Sequence, residues 1–308
     1  MHSYFIDSTR VSATFSELQK NVFSPSELLD VVRQYQSSWL IELSTTQLDE
    51  SSHIDQKNLW SVESLGTKTL ADLITKHKVL KRVSLPFPHR GEQRYVYGTV
   101  PTFDVVQSLD QSGYFTHFTA LYLNGLTDQI PKTIYFNVEQ KTVGGGSPLT
   151  QDSLDRAFAA KPRMSSNSVQ YDGQRIYKLN GRNTGRLGVV EIQPELCTTQ
   201  ISITNIERTL IDATVRPSYS GGVAVVAAAF ESAKGRVSAN KMAAYLRKLK
   251  FAYPYHQAIG LYMERAGFDE HQLHYLQEFP IKFDFYLAHG MKSTQHNQKW
   301  RLFVPKGF

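Results

Sequence analysis

Gly66 interrupts the chain, and the stretch that follows it constrains the local fold more tightly than any other. From Thr67 to Lys78, the residues Leu70, Leu73, Ile74 and His77 recur at the i, i+3, i+4, i+7 spacing of one helical face. Lys68, Thr69, Asp72, Thr75 and Lys76 fall on the other face. Val79 to Leu85 then reads as an extended run. Residues 86–93, with Pro86, Pro88 and Gly91, read as a turn, and Arg94 to Tyr97 as a return strand. Upstream, Ser24 is placed to cap a helix from Pro25 to Gln36, in which Leu28, Leu29, Val32 and Tyr35 share a face. Gln56 to Leu65 reads as a short second helix with Leu59, Trp60 and Val62 inward. Helix, short helix, turn, helix and hairpin is the order of a winged helix-turn-helix, here over residues 1–98. The connection from Ser37 to Asp55 is longer than a compact winged helix needs.

Charge singles out the same stretch. Residues 1–65 carry nine Asp/Glu against four Lys/Arg, a net of −5, whereas residues 66–98 carry seven Lys/Arg against two acids, a net of +5. A compact basic field is what phosphates respond to. In a winged helix the third helix enters the major groove, so Thr67, Lys68, Thr69, Asp72, Thr75 and Lys76 become candidates for base and backbone contact. At the hairpin tip His89, Arg90 and Arg94 are placed to lie along phosphates or reach the minor groove, and Lys81 and Arg82 are further DNA-binding candidates.

Residues 99–308 change character. A helix is expected over Pro101–Asp110, then helical periodicity before Gly125, and strands at Ile134–Val138, Gln174–Leu179, Gly188–Ile192 and Ile201–Ile203. Asn205 is a cap for a helix over Ile206–Val215. Helices are also expected over Val223–Ala233, Ala239–Lys250 and Pro254–Ala266, with closing strands at Phe283–Leu287 and Lys299–Val304. The whole reads as an α+β chain of two domains, 1–98 and 99–308, a division in keeping with its 308 residues. This second domain has basic residues of its own. Arg175, Lys178, Arg182, Lys241, Arg247 and Lys248 are candidates for a partner surface that meets protein, DNA or RNA.

Several patterns bear on what the chain is not. With 41% hydrophobic and 20% charged residues it has ample material for folded cores. No apolar run is long enough to span a bilayer, and no secretory leader is expected, so a cytoplasmic protein without membrane contact is predicted. The single cysteine, Cys197, excludes an intramolecular disulfide. Val143 to Pro148 is glycine-rich but lacks the Lys-Ser/Thr ending of a phosphate loop, and is read as a flexible loop. Glu207 and Asp212 lie five apart, poorly placed to share a helical face. Glu207 with Arg208 and Asp212 with Arg216 are read as structural pairs. His271 and His274 lack a third metal ligand at suitable spacing, and Gly146-Ser147 is followed by no Asp-x-Asp pair. No catalytic residue, metal or cofactor is expected. The alternatives are a protein-interaction subunit that uses the winged helix for docking, and a metal-dependent nuclease acting through Glu207, Asp212 or Glu264.

Three blocks resemble a known family. They are His117 to Thr127 with Pro131 and Tyr135, the run Ile203-Thr204-Asn205-Ile206-Glu207-Arg208-Thr209-Leu210-Ile211-Asp212 with Arg216-Pro217 following, and Ala258 to Gly267. Together they resemble the AbiEi-type antitoxins, regulators of phage-defence systems. His256-Gln257 departs from the pattern, where an arginine pair is common. The resemblance covers roughly 114–308. It implies a repressor that binds double-stranded DNA of its own operon, at inverted repeats, through the winged helix. It also implies antagonism of a nucleotidyltransferase-like toxin encoded beside it, in a type IV arrangement.

Overall fold

Polar residues ahead of apolar helical faces set the boundaries of the N-terminal elements. Asp7 ends strand β1 (His2–Asp7) and accepts from the Thr9 and Arg10 backbone N–H groups, starting α1 (Ser8–Glu17). Ser24 and Glu27 form a reciprocal capping box and Pro25 opens α2 (Pro25–Trp39). In the computed structural model, which describes residues 2–44, 58–62, 65–141 and 148–308, the chain is α+β and divides into two compact units. The first holds Met1–Leu109 with Glu195–Thr199, and the second Asp110–Pro194 with Gln200–Phe308. α4 (Thr102–Gln107), beyond the expected boundary after residue 98, lies within the first unit. Among the described residues no helix is long and apolar enough to cross a membrane.

The first unit carries two three-stranded sheets. β1 lies between β3 (Leu40–Ser44) and β4 (Leu59–Ser61), antiparallel to both. The second sheet has the order β2 (Val22–Phe23), β6 (Glu92–Tyr97), β5 (Leu80–Leu85), with Leu80 opposite Tyr97 and Leu85 opposite Glu92. α3 (Thr67–Lys76) stands between β4 and β5 in the chain order. Val11, Phe15, Leu28, Val32, Trp39, Leu70 and Ile74 share one core, in which Trp39 Nε1 donates to Thr14 Oγ1 at 2.8 Å. Two expectations are corrected. Within Gln56–Leu65, Leu59–Ser61 form strand β4 and not a helix, with Trp60 buried between a half-buried Leu59 and an exposed Ser61. The helix that starts at Pro25 is the second of the unit, because α1 precedes it.

The second unit is built on a mixed six-stranded sheet of order β11 (Val189–Ile192), β12 (Ile201–Thr204), β7 (Tyr114–Phe115), β8 (Thr133–Gln140), β10 (Gln174–Arg182), β9 (Ser168–Tyr171). β8 and β10 run parallel, with Asn137 opposite Leu179 and Glu139 opposite Gly181. Helices α5 (His117–Leu123), α6 (Gln151–Ala159) and α7 (Ile206–Val215) join α8 (Val223–Ala233), α9 (Ala239–Leu249), α10 (Tyr255–Arg265) and α11 (Glu270–Gln277) around one large core. Strands β13 (Phe285–Tyr286), β15 (Leu302–Pro305) and β14 (Thr294–Asn297) form a third small sheet. Trp300, fully buried, ties it to α10: its Nε1 donates to Glu264 Oε2 at 2.8 Å. Val143 to Ser147 of the glycine-rich stretch lie outside the described residues.

Candidate nucleic-acid interface

α3 buries Leu70, Ala71 and Ile74 and leaves Lys68, Thr69, Asp72 and Lys76 exposed, as a 3.6-residue period requires. Thr67 and Thr75 are half-buried, and Thr75 Oγ1 donates to the Ala71 carbonyl at 2.9 Å. Gly66 occupies the cap position and offers no side-chain acceptor to the first turn. At the other end, His77 leaves the apolar face expected of it and is exposed. Its ring stacks on Trp60 at 4.3 Å. Lys78 then adopts φ +61, the left-handed conformation that ends the helix and turns the chain into β5.

β5 is an edge strand, and its Lys81 and Arg82 are both exposed. Beyond it the turn buries Phe87 and exposes Pro86, Pro88, His89 and Arg90. Arg90 lines a cleft of about 570 Å³ with Ser24, Ser26, Ser84 and Gln93, at the start of α2. The sequence reading gave Ser26 and Ser84 no role. The capping box at Ser24 was the signal that α2 begins there.

Arg94 is corrected. It is 4% exposed and turned inward. Its Nε and Nη2 donate to the Ser108 carbonyl at 3.3 and 3.0 Å, and Nη1 lies 3.3 Å from Glu92 Oε2 and 2.6 Å from the Gln93 carbonyl. It anchors the hairpin to the end of α4 and is not displayed to a ligand.

The ion pairs of the unit divide its cations into two sets. Arg10 pairs with Asp7 at 3.2 Å, Lys20 with Glu27 at 2.6 Å and Arg33 with Asp30 at 2.6 Å. Burial pushes the Glu27 carboxyl up, but bonds from Lys20 and the Ser24 backbone outweigh it and hold the group below its ordinary range. Lys68, Lys76, Lys81, Arg82 and Arg90 are all exposed, and none forms an ion pair among the described residues.

The second unit treats its basic residues differently. Lys241 pairs with the buried Glu207 at 3.0 Å, and Arg247 with Glu278 at 2.5 Å. Arg182 donates to the Leu249 carbonyl and lies over the Phe251 ring. Lys178 is half-buried, leaving Arg175 and Lys248 as the exposed members of the six not given a partner above. The expected acid–base pairs are re-assigned. Asp212 pairs with Arg208, one turn earlier, rather than with Arg216, and Glu207 pairs with Lys241 rather than Arg208. Glu264 accepts from Lys299 at 2.5 Å and from Trp300.

No family model matches the chain, and no curated protein matches it. It is similar to the crystal structure of the Rv2827c protein from Mycobacterium tuberculosis, with a TM-score of 0.57 over 96% of this chain and 90% of that one. At 11% identity this likeness concerns the fold alone.

Proposed function

We propose that the protein is a DNA-binding transcriptional autorepressor and the antitoxin of a type IV toxin–antitoxin pair. The observation that carries the DNA-binding reading is the division of cations in the first unit. Those on α1, α2 and the segment between them are neutralised by acids, while those on α3, β5 and the turn are exposed and have no ion pair among the described residues. Unpaired, hydrated cations on one helix and the adjacent hairpin suit a polyanion, because counterions released from DNA drive such contacts. In this reading the first unit is a winged helix. α3 lies in the major groove with Lys68, Thr69 and Asp72 toward the bases, and Lys81, Arg82 and Arg90 follow phosphates.

The antitoxin part of the proposal rests on the three family-like blocks of the second unit. They fall mainly on α5, α7 and α10, and α7 packs against both of the others. A shared packing core of this kind is what distant relatives retain when surfaces diverge. The partner would be a nucleotidyltransferase-like toxin encoded in the same operon.

Two measurements test the proposal. The full chain should bind a duplex taken from the DNA preceding its own gene more tightly than a scrambled duplex of equal length. Co-expression should restore growth to cells carrying a nucleotidyltransferase-like toxin from the adjacent reading frame. Equal affinity for both duplexes would overturn the repressor reading, and absence of rescue the antitoxin reading.

A further inference from the structure

The second unit holds a polar cleft of about 240 Å³ that the DNA-binding reading does not use. Arg208 and Asp212 line it from one face of α7, one turn apart, and Arg216 lines it from the residue that caps the end of the helix. Arg182, from the end of β10, also lines it. Asp212 is the one carboxylate among the described lining residues, and both of its oxygens are engaged. Arg208 Nε lies 2.8 Å from Oδ1 and Thr116 Oγ1 donates to Oδ2 at 3.0 Å. Arg208 is thus matched by Asp212, and Arg182 and Arg216 leave the cleft with an excess of positive charge.

Each of these two guanidiniums is steadied by a backbone carbonyl. Arg216 Nη1 donates to Arg163 at 3.1 Å and Arg182 to Leu249. With five N–H donors apiece, both keep donors for a ligand.

His117 gives the cleft a second chemistry. It occupies φ +52, a left-handed conformation that ordinary side chains avoid, and the ring is held against Tyr219 at 5.3 Å and Tyr135 at 6.1 Å. The residue is 9% exposed, and among the described residues its Nδ1 has no hydrogen-bond partner. Burial drives its pKa down to about 4, the Arg216 and Arg208 charges acting the same way and Asp212 opposing, so the ring is neutral at pH 7. A neutral imidazole carries one acceptor nitrogen. A strained backbone that holds a buried, unpartnered polar ring in a charged cleft is the arrangement expected of a binding site. Across the cleft, Asn137 is 7% exposed and Gly181 makes room for it: a Cβ at 181 would lie 2.5 Å from Asn137 Oδ1.

We propose that this cleft binds a small phosphomonoester, with the phosphoryl group taken by Arg182 and Arg216 and a ligand hydroxyl donating to Nδ1 of His117. Paired guanidiniums match the geometry and charge of a phosphoryl dianion. The buried acceptor selects a ligand that carries a hydroxyl beside its anion, which sulfate lacks at neutral pH. The volume lies just below the range of about 300–1,000 Å³ common for small-molecule pockets, and suits a sugar phosphate rather than a larger molecule.

The test is isothermal titration of the full chain with ribose 5-phosphate and, separately, with sulfate, at constant ionic strength and pH 7.5. Nitrogen NMR of the histidine rings follows the same titrations. Saturable binding of ribose 5-phosphate, weaker binding of sulfate and a shift of the His117 ring nitrogens are expected. The double variant Arg182→Gln/Arg216→Gln should lose about tenfold or more in affinity, the scale of a lost charge-assisted bond. His117→Asn keeps a residue that tolerates the left-handed backbone, and should bring ribose 5-phosphate and sulfate to similar affinities. No saturable binding of ribose 5-phosphate, an unchanged affinity in the double variant, or an undisturbed His117 ring in the bound state would each overturn the proposal.

Discussion

Nε of Arg208 lies 2.8 Å from Oδ1 of Asp212, one turn apart on α7, with 6% and 11% of the two side chains exposed. The pair is further held by Thr116 on Asp212 and by the Leu187 carbonyl, to which Arg208 Nη1 donates at 2.6 Å. A charge pair this deep is costly to break from one side, because the remaining charge stays buried without its partner. Asp212→Asn should therefore destabilise the second unit by about 3–5 kcal/mol in urea unfolding. A loss below about 0.5 kcal/mol, the level of an ordinary surface substitution, would contradict the structural role assigned to this pair.

Gly260 on α10 sits against the fully buried Trp300, and a Cβ there would lie 2.3 Å from two atoms of the indole ring. Gly260→Ala should lower stability by about 1–3 kcal/mol despite alanine's better helix propensity, the cost of overfilling a close-packed site. A thermal midpoint equal to or above that of the parent chain would count against the packing of α10 on Trp300.

Burial pushes both His117 and His256 down to about 4, against about 6.5 in an unfolded chain. Between these values the unfolded state binds more protons than the folded one, so stability rises with pH through this window and is lost as pH falls. Each histidine should remove about 2 kcal/mol between pH 7.5 and pH 5. His256 stacks on Phe279 and its buried Nε2 lacks a partner among the described residues, so His256→Leu should flatten the dependence by about half. Unfolding curves at the two pH values that coincide for the parent chain would contradict this.

Two arginines of the hairpin separate structure from function. Arg94→Ala removes a buried guanidinium bonded to Ser108, Gln93 and Glu92, and should cost about 2–4 kcal/mol. Arg90→Ala, at an exposed position, should leave the unfolding midpoint within about 0.5 kcal/mol and weaken DNA binding. The reverse outcome would mean that the roles of the two residues are exchanged.

Long, periodic segments were legible in the sequence. The stripes of α3, α8 and α9 and the cap at Asn205 lie where pattern and capping chemistry place them. Strands at Gly188–Ile192 and Ile201–Ile203 were legible too, but β4 was not. β4 has three residues, too few to distinguish a period of 2 from 3.6, and its partner β1 is remote in the chain. α1 carries its own signal in the cap at Asp7 and the buried Val11 and Phe15 four apart, and it makes the helix at Pro25 the second of the unit. Arg94 follows the alternation of its strand, yet the burial of a guanidinium depends on a carbonyl contributed by Ser108, which no local pattern reveals. The same holds for the cleft beside α7. The spacing of Arg208, Asp212 and Arg216 was visible, but the left-handed backbone of His117 and the approach of Arg182 are products of the fold.

The central claim is that the exposed cations of α3, β5 and the turn, which have no ion pair among the described residues, meet DNA phosphates. The most direct measurement is the salt dependence of affinity for a duplex from the chain's own upstream DNA, by fluorescence anisotropy. Each phosphate contact contributes about 0.9 to the slope of log affinity against log salt concentration. Lys68→Ala and Arg90→Ala should each weaken binding and reduce the slope by about one, while Arg33→Ala, which removes a residue paired with Asp30, should leave it unchanged. Parent-level affinity and slope in both Lys68→Ala and Arg90→Ala would contradict the assignment of this face to DNA.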